Sequence, residues 1–163
     1  MAEPVFSILV VCLNPGDKLR TTLESIREQT FRNYEVIIKD GLSSDGSLDF
    51  VKEVTEEFPS LRMIRKKDGG IYDAMNQAVQ EAEGRYLYFL NCGDKFYHEK
   101  VLEEIAGLIA GHPANAGIYY GNIYERLTGR EVASNPRLDA FGCYRNVPCH
   151  QACFYDRKLL LAH

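Results

Sequence analysis

Residues 68–94 read DGGIYDAMNQAVQEAEGRYLYFLNCGD and combine a glycine turn, a helix, a strand and an acidic turn. The run YLYFL at residues 86–90 predicts a strand, and NCGD at residues 91–94 predicts the turn that ends it. Between the glycines and this strand, apolar residues recur at helical spacing. The residues of this helical stripe are Ile71, Met75, Ala78, Val79 and Ala82.

Three further strands are predicted upstream, at residues 6–13, 34–39 and 61–65. The first is almost continuously apolar, as expected for a strand that is covered on both faces. A helix is predicted after each of the first two strands, with Asp17 and Ser44 as N-caps. The alternation of strands and helices predicts an α/β fold with an open, mostly parallel sheet and helices on both faces.

The pattern changes towards the end of the chain. A helix is predicted at residues 101–109, and residues 118–133 predict two strands joined by a turn. Residues 135–148 have no clear periodicity and are predicted as a loop. A last strand is expected at residues 149–155, followed by a helix capped by Asp156. Because no repeat or linker interrupts the pattern, residues 1–163 are expected to form a single domain.

Composition excludes several classes of protein. The 163 residues carry a net charge of -4, which gives no basic surface for nucleic acid. No apolar run approaches the ~20 residues that span a bilayer, and the first residues lack a signal-peptide pattern. The odd number of cysteines favours reduced thiols in the cytoplasm. A zinc site at Cys149, His150 and Cys153 lacks a second pair of ligands.

Small polar residues follow each of the four predicted parallel strands. These are CLN after the first strand, DGLSSDGS after the second, DGG after the third and NCGD after the fourth. Ligands bind at the carboxyl ends of the strands in an open parallel sheet. Glycine allows close approach, and carboxylates suit ribose hydroxyls and hard cations. We therefore interpret this edge as a site for a sugar nucleotide with a divalent cation on its diphosphate.

The order of these motifs resembles the family 2 glycosyltransferases, which have the GT-A fold. The resemblance rests on FSILVVCLN, YEVIIKDGLSSDGS, residues 68–94 and CHQACFYDRKLL, and it runs from about Phe6 to the end of the chain. The similarity is greatest to the bacterial branch that makes extracellular or capsular polysaccharide, in which a GIYDAMN helix occurs with an acidic turn.

The resemblance implies roles for particular residues. Asp94 is implied as the metal ligand, because Asn91 and Gly93 stand where the family often has acidic residues. His150 and Gln151 are implied on the acceptor side. The residues implied in binding the nucleotide-sugar donor are Leu13, Asn14, Asp40, Gly41, Asp68, Gly69, Gly70, Met75, Asn76, Asn91 and Cys92.

The implied reaction is an inverting transfer from a UDP-sugar or GDP-sugar to a saccharide or lipid-linked acceptor, with Mn²⁺ or Mg²⁺ on the donor. In the family the base lies after the segment that CHQACFYDRKLL resembles, so it is expected beyond His163, and Asp139 and Asp156 match no catalytic motif of the family. The chain is therefore expected to lack its acceptor and catalytic-base part, and to bind a nucleotide while transferring sugar poorly. Many members of the family transfer sugars to lipid-linked acceptors at the cytoplasmic face of the membrane. The resemblance therefore implies a cytoplasmic protein that can work at the inner membrane face.

Other classes remain as alternatives. A nucleotide-sugar-binding module without turnover is compatible with the single acid of the NCGD turn. A sugar nucleotidyltransferase has a similar sheet, but CLNPGDKLR is a poor version of its glycine-rich basic loop. A receiver-like domain needs clustered acids after the first strand, where CLN has none. Neither GxGxxG after the first strand nor GxxxxGK[ST] is present, which disfavours dinucleotide-binding and P-loop folds.

Overall fold

The computed structural model of the chain describes residues 3–112, 117–135 and 148–162. Its helices are α1 (Lys18–Arg27), α2 (Val51–Val54), α3 (Ile71–Glu81), α4 (Val101–Gly111) and α5 (Arg157–Leu161). Its strands are β1 (Phe6–Cys12), β2 (Tyr34–Asp40), β3 (Leu61–Arg65), β4 (Tyr86–Phe89), β5 (Ile118–Tyr120), β6 (Ile123–Glu125), β7 (Arg130–Val132) and β8 (Cys153–Asp156).

Six strands form the central sheet in the order β3-β2-β1-β4-β8-β5. The first four of these are parallel, β8 runs antiparallel to β4, and β5 runs antiparallel to β8. Phe6 of β1 pairs with both Tyr34 and Tyr86, and Cys12 pairs with Asp40. The mostly parallel sheet is therefore confirmed, and the loops that follow its parallel strands leave at one edge.

Helices cover both faces of the sheet, as predicted. Phe6, Ile8 and Val10 of β1 pack in a core with α1, α2 and α4. Leu9 points to the opposite face, where it packs with α3 and α5. The continuous apolar run of β1 is explained by this arrangement, because side chains alternate between two buried faces.

Two of the three predicted helix caps are wrong. Asp17 precedes α1 but its side chain makes no capping hydrogen bond. The helix predicted after Ser44 starts only after Phe50 and is limited to α2 and a 3₁₀ turn at Thr55–Glu57. The intervening residues instead form a loop, in which the Asp45 carboxylate accepts from Ser47. The third cap is confirmed, since Asp156 accepts from the backbone N–H of Lys158 at 2.8 Å.

The region after α4 also differs from the prediction. Residues 118–133 form three strands and not two, because β5 pairs with β8 in the central sheet whereas β6 and β7 pair with each other in a separate two-stranded sheet. The strand predicted at residues 149–155 begins only at Cys153, after a 3₁₀ turn at His150–Ala152. Residues 136–147 of the predicted loop, with Asp139 and Cys143, lie outside the described residues. Within the described ranges, no helix combines the length and apolarity that a bilayer span requires.

Candidate functional site

The carboxyl ends of β1, β2 and β3 meet in close contact. The N–H of Gly41 donates to the carbonyl of Cys12 at 2.9 Å. A Cβ atom on Gly41 would lie 2.8 Å from Oδ2 of Asp68 and 3.4 Å from Cδ1 of Leu13. The structure therefore brings Leu13, Gly41 and Asp68 together, and a Cβ atom at position 41 would require the Asp68 side chain to shift.

The loop after β1 is tied to the loop after β2 by Asn14. The backbone N–H of Asn14 donates to Oγ of Ser43 at 2.7 Å, and its Oδ1 accepts from the N–H of Ser44 at 2.9 Å. Asn14 and Leu42 both have positive φ, at 48° and 75°. Such strained positions cluster at ligand sites, and the neighbouring side chains of Leu13 and Leu42 are exposed.

Asp40 is fully buried at the end of β2. Its carboxylate accepts from Oγ of Ser43 at 2.5 Å, from the Ser43 N–H at 3.0 Å and from Nε of Arg65 at 2.9 Å. Arg65 in turn donates to the Ser43 carbonyl at 2.8 Å. The base or ribose contact expected of Asp40 stays a prediction, and it requires the Ser43 loop or Arg65 to move, because no atom of Asp40 is exposed.

Asp68 is paired with a buried lysine, Lys39, that the sequence analysis missed. Nζ of Lys39 donates to Oδ2 of Asp68 at 2.7 Å and to the Lys66 carbonyl at 2.7 Å. This hydrogen bond lowers the pKa of Asp68 below its usual range. The one sequence signal was a lysine in the apolar run of β2, where a fully buried cation needs an acidic partner.

The start of α3 is already occupied by carboxylates. The N–H of Gly69 donates to Oδ2 of Asp73 at 2.7 Å, and the N–H of Gly70 donates to Oδ1 of Asp68 at 3.2 Å. These acids disfavour a phosphate at this helix N-terminus. Further along α3, Met75 packs against the core and Asn76 is exposed.

The turn after β4 is held in place by Thr22 of α1. Oγ1 of Thr22 accepts from the N–H of Gly93 and donates to the carbonyl of Asp94, both at 2.9 Å. The φ of Gly93 is 98°, which requires glycine. Thr22 was not predicted, although a polar residue within the buried stripe of α1 was a signal that it has an internal partner.

Asp94 has a neutral partner. Its Oδ2 accepts from Nε2 of Gln151 at 2.6 Å. In the part of the chain that the structure describes, Asp94 forms no ion pair with a lysine, arginine or histidine. Nε2 of His150 lies 3.4 Å from Nδ2 of Asn91, whose Oδ1 is buried without a hydrogen bond. The two residues predicted on the acceptor side therefore contact the predicted metal turn.

Two cysteines, Cys12 and Cys92, lie between the loops that follow β1 and β2 and the turn that follows β4. Cys12 and Cys92 follow the register of β1 and β4, in which Leu9 pairs with Phe89. The neighbouring Cys92 thiol, together with burial, raises the pKa of the Cys12 thiol. The four described cysteines are free thiols, and this pair connects the β1–β2 loops to the β4 turn through side-chain contact.

The β4 turn fits a divalent cation only if a ligand completes the coordination. The described residues contain no group of three or more His, Cys, Asp or Glu that could hold a metal. Asp94 contributes one carboxylate, and Gln151 engages Oδ2, which leaves Oδ1 to face a cation. Magnesium-type ions use one or two protein carboxylates together with substrate phosphates and water, so this donor set fits a cation that arrives on a diphosphate.

The fold and its polar carboxyl edge define an α/β protein of the GT-A class, and solved structures confirm that fold. Residues 1–349 of S. aureus TarS in complex with UDP-GlcNAc superpose with a TM-score of 0.78 and 22% identity, over 96% of this chain and 46% of that TarS fragment. The mannosyltransferase PcManGT from Pyrobaculum calidifontis, in complex with GDP-Man and Mn²⁺, superposes with a TM-score of 0.73 and 19% identity, over 99% of this chain and 47% of the PcManGT chain.

The family model for glycosyl transferase family 2 matches residues 7–157, and the chain belongs to this family. A PGL/p-HBAD biosynthesis glycosyltransferase of Mycobacterium bovis is 36% identical over 98% of this chain and 62% of the relative. An uncharacterized glycosyltransferase of Mycobacterium tuberculosis, MT1564, is 30% identical over 98% of this chain and 61% of the relative. The chain spans about three fifths of the length of these curated relatives.

Proposed function

We propose that residues 1–163 form one nucleotide-sugar-binding domain of an inverting glycosyltransferase. The whole protein moves a sugar from a UDP-sugar or GDP-sugar to a saccharide or lipid-linked acceptor, in the synthesis of a bacterial polysaccharide or glycolipid. The observation that carries the proposal is Asp94, an acidic residue without a cationic partner among the described residues, at the carboxyl edge of the sheet. The location is cytoplasmic, at the inner membrane face where the acceptor is lipid-linked.

The donor lies along the edge between the β1–β2 loops and the β4 turn. Leu13, Asn14 and Gly41 border the nucleoside, with Asp40 and Asp68 beneath them. Two of the solved structures with this fold contain nucleotide sugars, UDP-GlcNAc in TarS and GDP-Man in PcManGT, which supports the class of donor. The remaining donor-side residues in the proposal are Gly69, Gly70, Met75, Asn76, Asn91 and Cys92.

Asp94 would hold a cation on the donor diphosphate through Oδ1. Because its partner Gln151 is neutral, the carboxylate keeps its full charge for this purpose. A bound Mn²⁺ or Mg²⁺ supplies positive charge against the departing nucleoside diphosphate. Asp94 fixes where that charge lies, and Thr22 keeps the turn that carries Asp94 in position.

The transfer is a direct displacement at the anomeric carbon. An acceptor hydroxyl attacks from the side opposite the diphosphate, the bond to the diphosphate breaks, and the configuration inverts. The hydroxyl proton passes to a carboxylate base, which we assign to none of the described residues. The described residues are therefore expected to bind the donor, while the base for the transfer is not assigned among them.

A thermal-shift screen of UDP, GDP, CDP and dTDP with Mn²⁺ tests the donor class. A ligand that binds only the folded state at a hundredfold excess over Kd stabilises it by about 2.7 kcal/mol. We expect UDP or GDP to raise Tm in the presence of Mn²⁺. If none of the four nucleotides changes Tm at millimolar concentration, the proposed function is wrong.

A binding module without turnover is the second candidate, because the β4 turn carries a single acid where two are common in the family. Incubation of the whole protein with the donor and Mn²⁺ distinguishes the candidates. A transferase releases free sugar slowly when water attacks the donor, or moves the sugar faster onto an added acceptor, and in both cases the nucleoside diphosphate is released, whereas a pure binder returns the donor intact.

A further inference from the structure

Gln151 lies at the centre of a set of contacts that ends on Asp94. Its Nε2 donates to Oδ2 of Asp94 at 2.6 Å, and its Oε1 accepts from Sγ of Cys149 at 3.1 Å. Its backbone carbonyl accepts from the Tyr88 hydroxyl at 2.5 Å. Burial raises the pKa of Tyr88, so the phenol stays protonated and remains a donor. Both the backbone and the side chain of Gln151 are therefore held in place.

The orientation of the Gln151 amide follows from its partners. An ionised carboxylate can only accept a hydrogen bond, so the side facing Asp94 must be the NH₂ group. The oxygen then faces the thiol of Cys149, which can donate. Both contacts require the same orientation of the amide, and a flip would break both.

A glutamine beside Asp94 leaves the negative charge of the carboxylate in place, whereas a basic residue at the same position would offset it. Lys39 and Arg65 offset the charges of Asp68 and Asp40, whereas an amide orients a carboxylate without neutralising it. The hydrogen bond engages Oδ2 and leaves Oδ1 without a hydrogen bond to Gln151. This arrangement suits a carboxylate that must bind a cation through one oxygen.

We propose that Gln151 is a positioning residue for Asp94, and that it acts in cation-dependent donor binding rather than in acceptor recognition. The inference rests on the proposed function. The hydrogen bond between Gln151 and Asp94 joins the 3₁₀ turn at His150–Ala152 to the turn after β4. Donor binding therefore depends on the position of this 3₁₀ turn. Nothing in this assignment requires Gln151 to touch either sugar.

The test is calorimetry of UDP and GDP with and without Mn²⁺ on Gln151→Leu, Gln151→Lys and the wild type. The measured quantity is the ratio of the affinities with and without Mn²⁺. In Gln151→Leu this ratio should fall about tenfold, as expected for the loss of one hydrogen bond to a charged group, while metal-free affinity is unchanged. A purely structural role would lower both affinities together.

Gln151→Lys keeps the inference testable even where Gln151→Leu fails to fold. An ammonium beside Asp94 should preserve Tm and abolish the Mn²⁺ effect, because it neutralises the carboxylate. Gln80→Leu and Gln80→Lys are the matched controls, since Gln80 is exposed near the end of α3, and both should keep the wild-type ratio.

The outcomes separate the two proposals. If the wild type binds neither UDP nor GDP under any condition, the proposed function fails and the inference fails with it. If the wild type shows an Mn²⁺ effect that Gln151→Leu and Gln151→Lys retain, only the inference is overturned. A wild type that binds nucleotide equally well without Mn²⁺ also overturns the inference and leaves the nucleotide-binding proposal standing.

Discussion

The two ends of the candidate site use the same residue type in opposite ways. At the β2–β3 end, Asp40 is paired with Arg65 and Asp68 with Lys39. At the β4 end, Asp94 is paired with the neutral amide of Gln151. Because an internal cation offsets each acid at the first end, those acids hold the loops together. The acid at the second end keeps its charge for a ligand from outside the chain.

This contrast separates stability from binding. Removing one member of a buried ion pair leaves an uncompensated charge, which is costly for folding. Removing an acid that has no cationic partner leaves no unpaired cation behind and therefore costs less. We therefore expect substitutions at the β2–β3 end to lower the free energy of unfolding, and substitutions at the β4 end to leave stability nearly unchanged while abolishing cation-dependent binding.

The largest effect is expected for Lys39→Met. The substitution leaves Asp68 without its cation and leaves the Lys66 carbonyl without its donor. The free energy of unfolding should fall by about 3–5 kcal/mol in urea denaturation. Lys66→Met is the control, because the Lys66 side chain is exposed, and its change should stay within about 0.5 kcal/mol. Similar losses in the two variants would contradict a structural role for the Lys39–Asp68 pair.

A second prediction compares Asp40→Asn with Asp94→Asn in the same denaturation experiment. Asp40 loses charge-assisted bonds to Ser43 and Arg65, which should cost about 2–3 kcal/mol. An asparagine at position 94 can still accept from Gln151, so the cost there should be about 1 kcal/mol or less. Equal losses at the two positions would remove the distinction between the two ends.

A third, smaller effect is expected for Gly41→Ala. The added methyl group would lie 2.8 Å from Oδ2 of Asp68, which Lys39 holds in place. The cost should be about 1–2 kcal/mol, as for other overpacked sites. Gly107→Ala is the control, because Gly107 lies in α4 with no atom within 4 Å of its added Cβ. That control should be stabilised by about 0.5–1 kcal/mol, and a stable Gly41→Ala would show that Asp68 can move.

The smallest effect concerns pH. The pKa of Asp68 is lowered in the folded state, against about 3.9 for an unperturbed aspartate. The stabilisation by Lys39 is therefore fully present above about pH 4 and is lost as the pH falls through the folded-state pKa. Urea midpoints of the wild type should fall more steeply below pH 4 than those of Lys39→Met. Parallel curves would mean that Lys39 does not stabilise ionised Asp68.

Most of the fold could be predicted from local sequence. β3 at Leu61–Arg65 begins and ends where the sequence predicted it, and α3 begins next to Gly70. These elements depend on neighbouring residues, whose periodicity the sequence shows directly. The predictions were weaker where pairing is long-range, as for β5, which pairs with β8 from 35 residues further along the chain.

The sequence predicted where the acidic residues of the candidate site lie, but it did not predict which side chains they contact. Its acids were found because polar residues follow each parallel strand. Spacing could not show that Arg65, 25 residues after Asp40, covers its carboxylate. Nor could it show that Thr22 binds a turn more than 70 residues away. The contacts of a side chain depend on the packing of distant segments, which periodicity does not encode.

The most direct test of the contrast is calorimetry of UDP and GDP binding to the wild type and Asp94→Asn, each with and without Mn²⁺. Glu28→Gln is the charge-matched control, since Glu28 is exposed at the end of α1 that lies away from this edge. We predict that Mn²⁺ strengthens nucleotide binding in the wild type and in Glu28→Gln, and that the effect disappears in Asp94→Asn. An undiminished Mn²⁺ effect in Asp94→Asn would contradict the account.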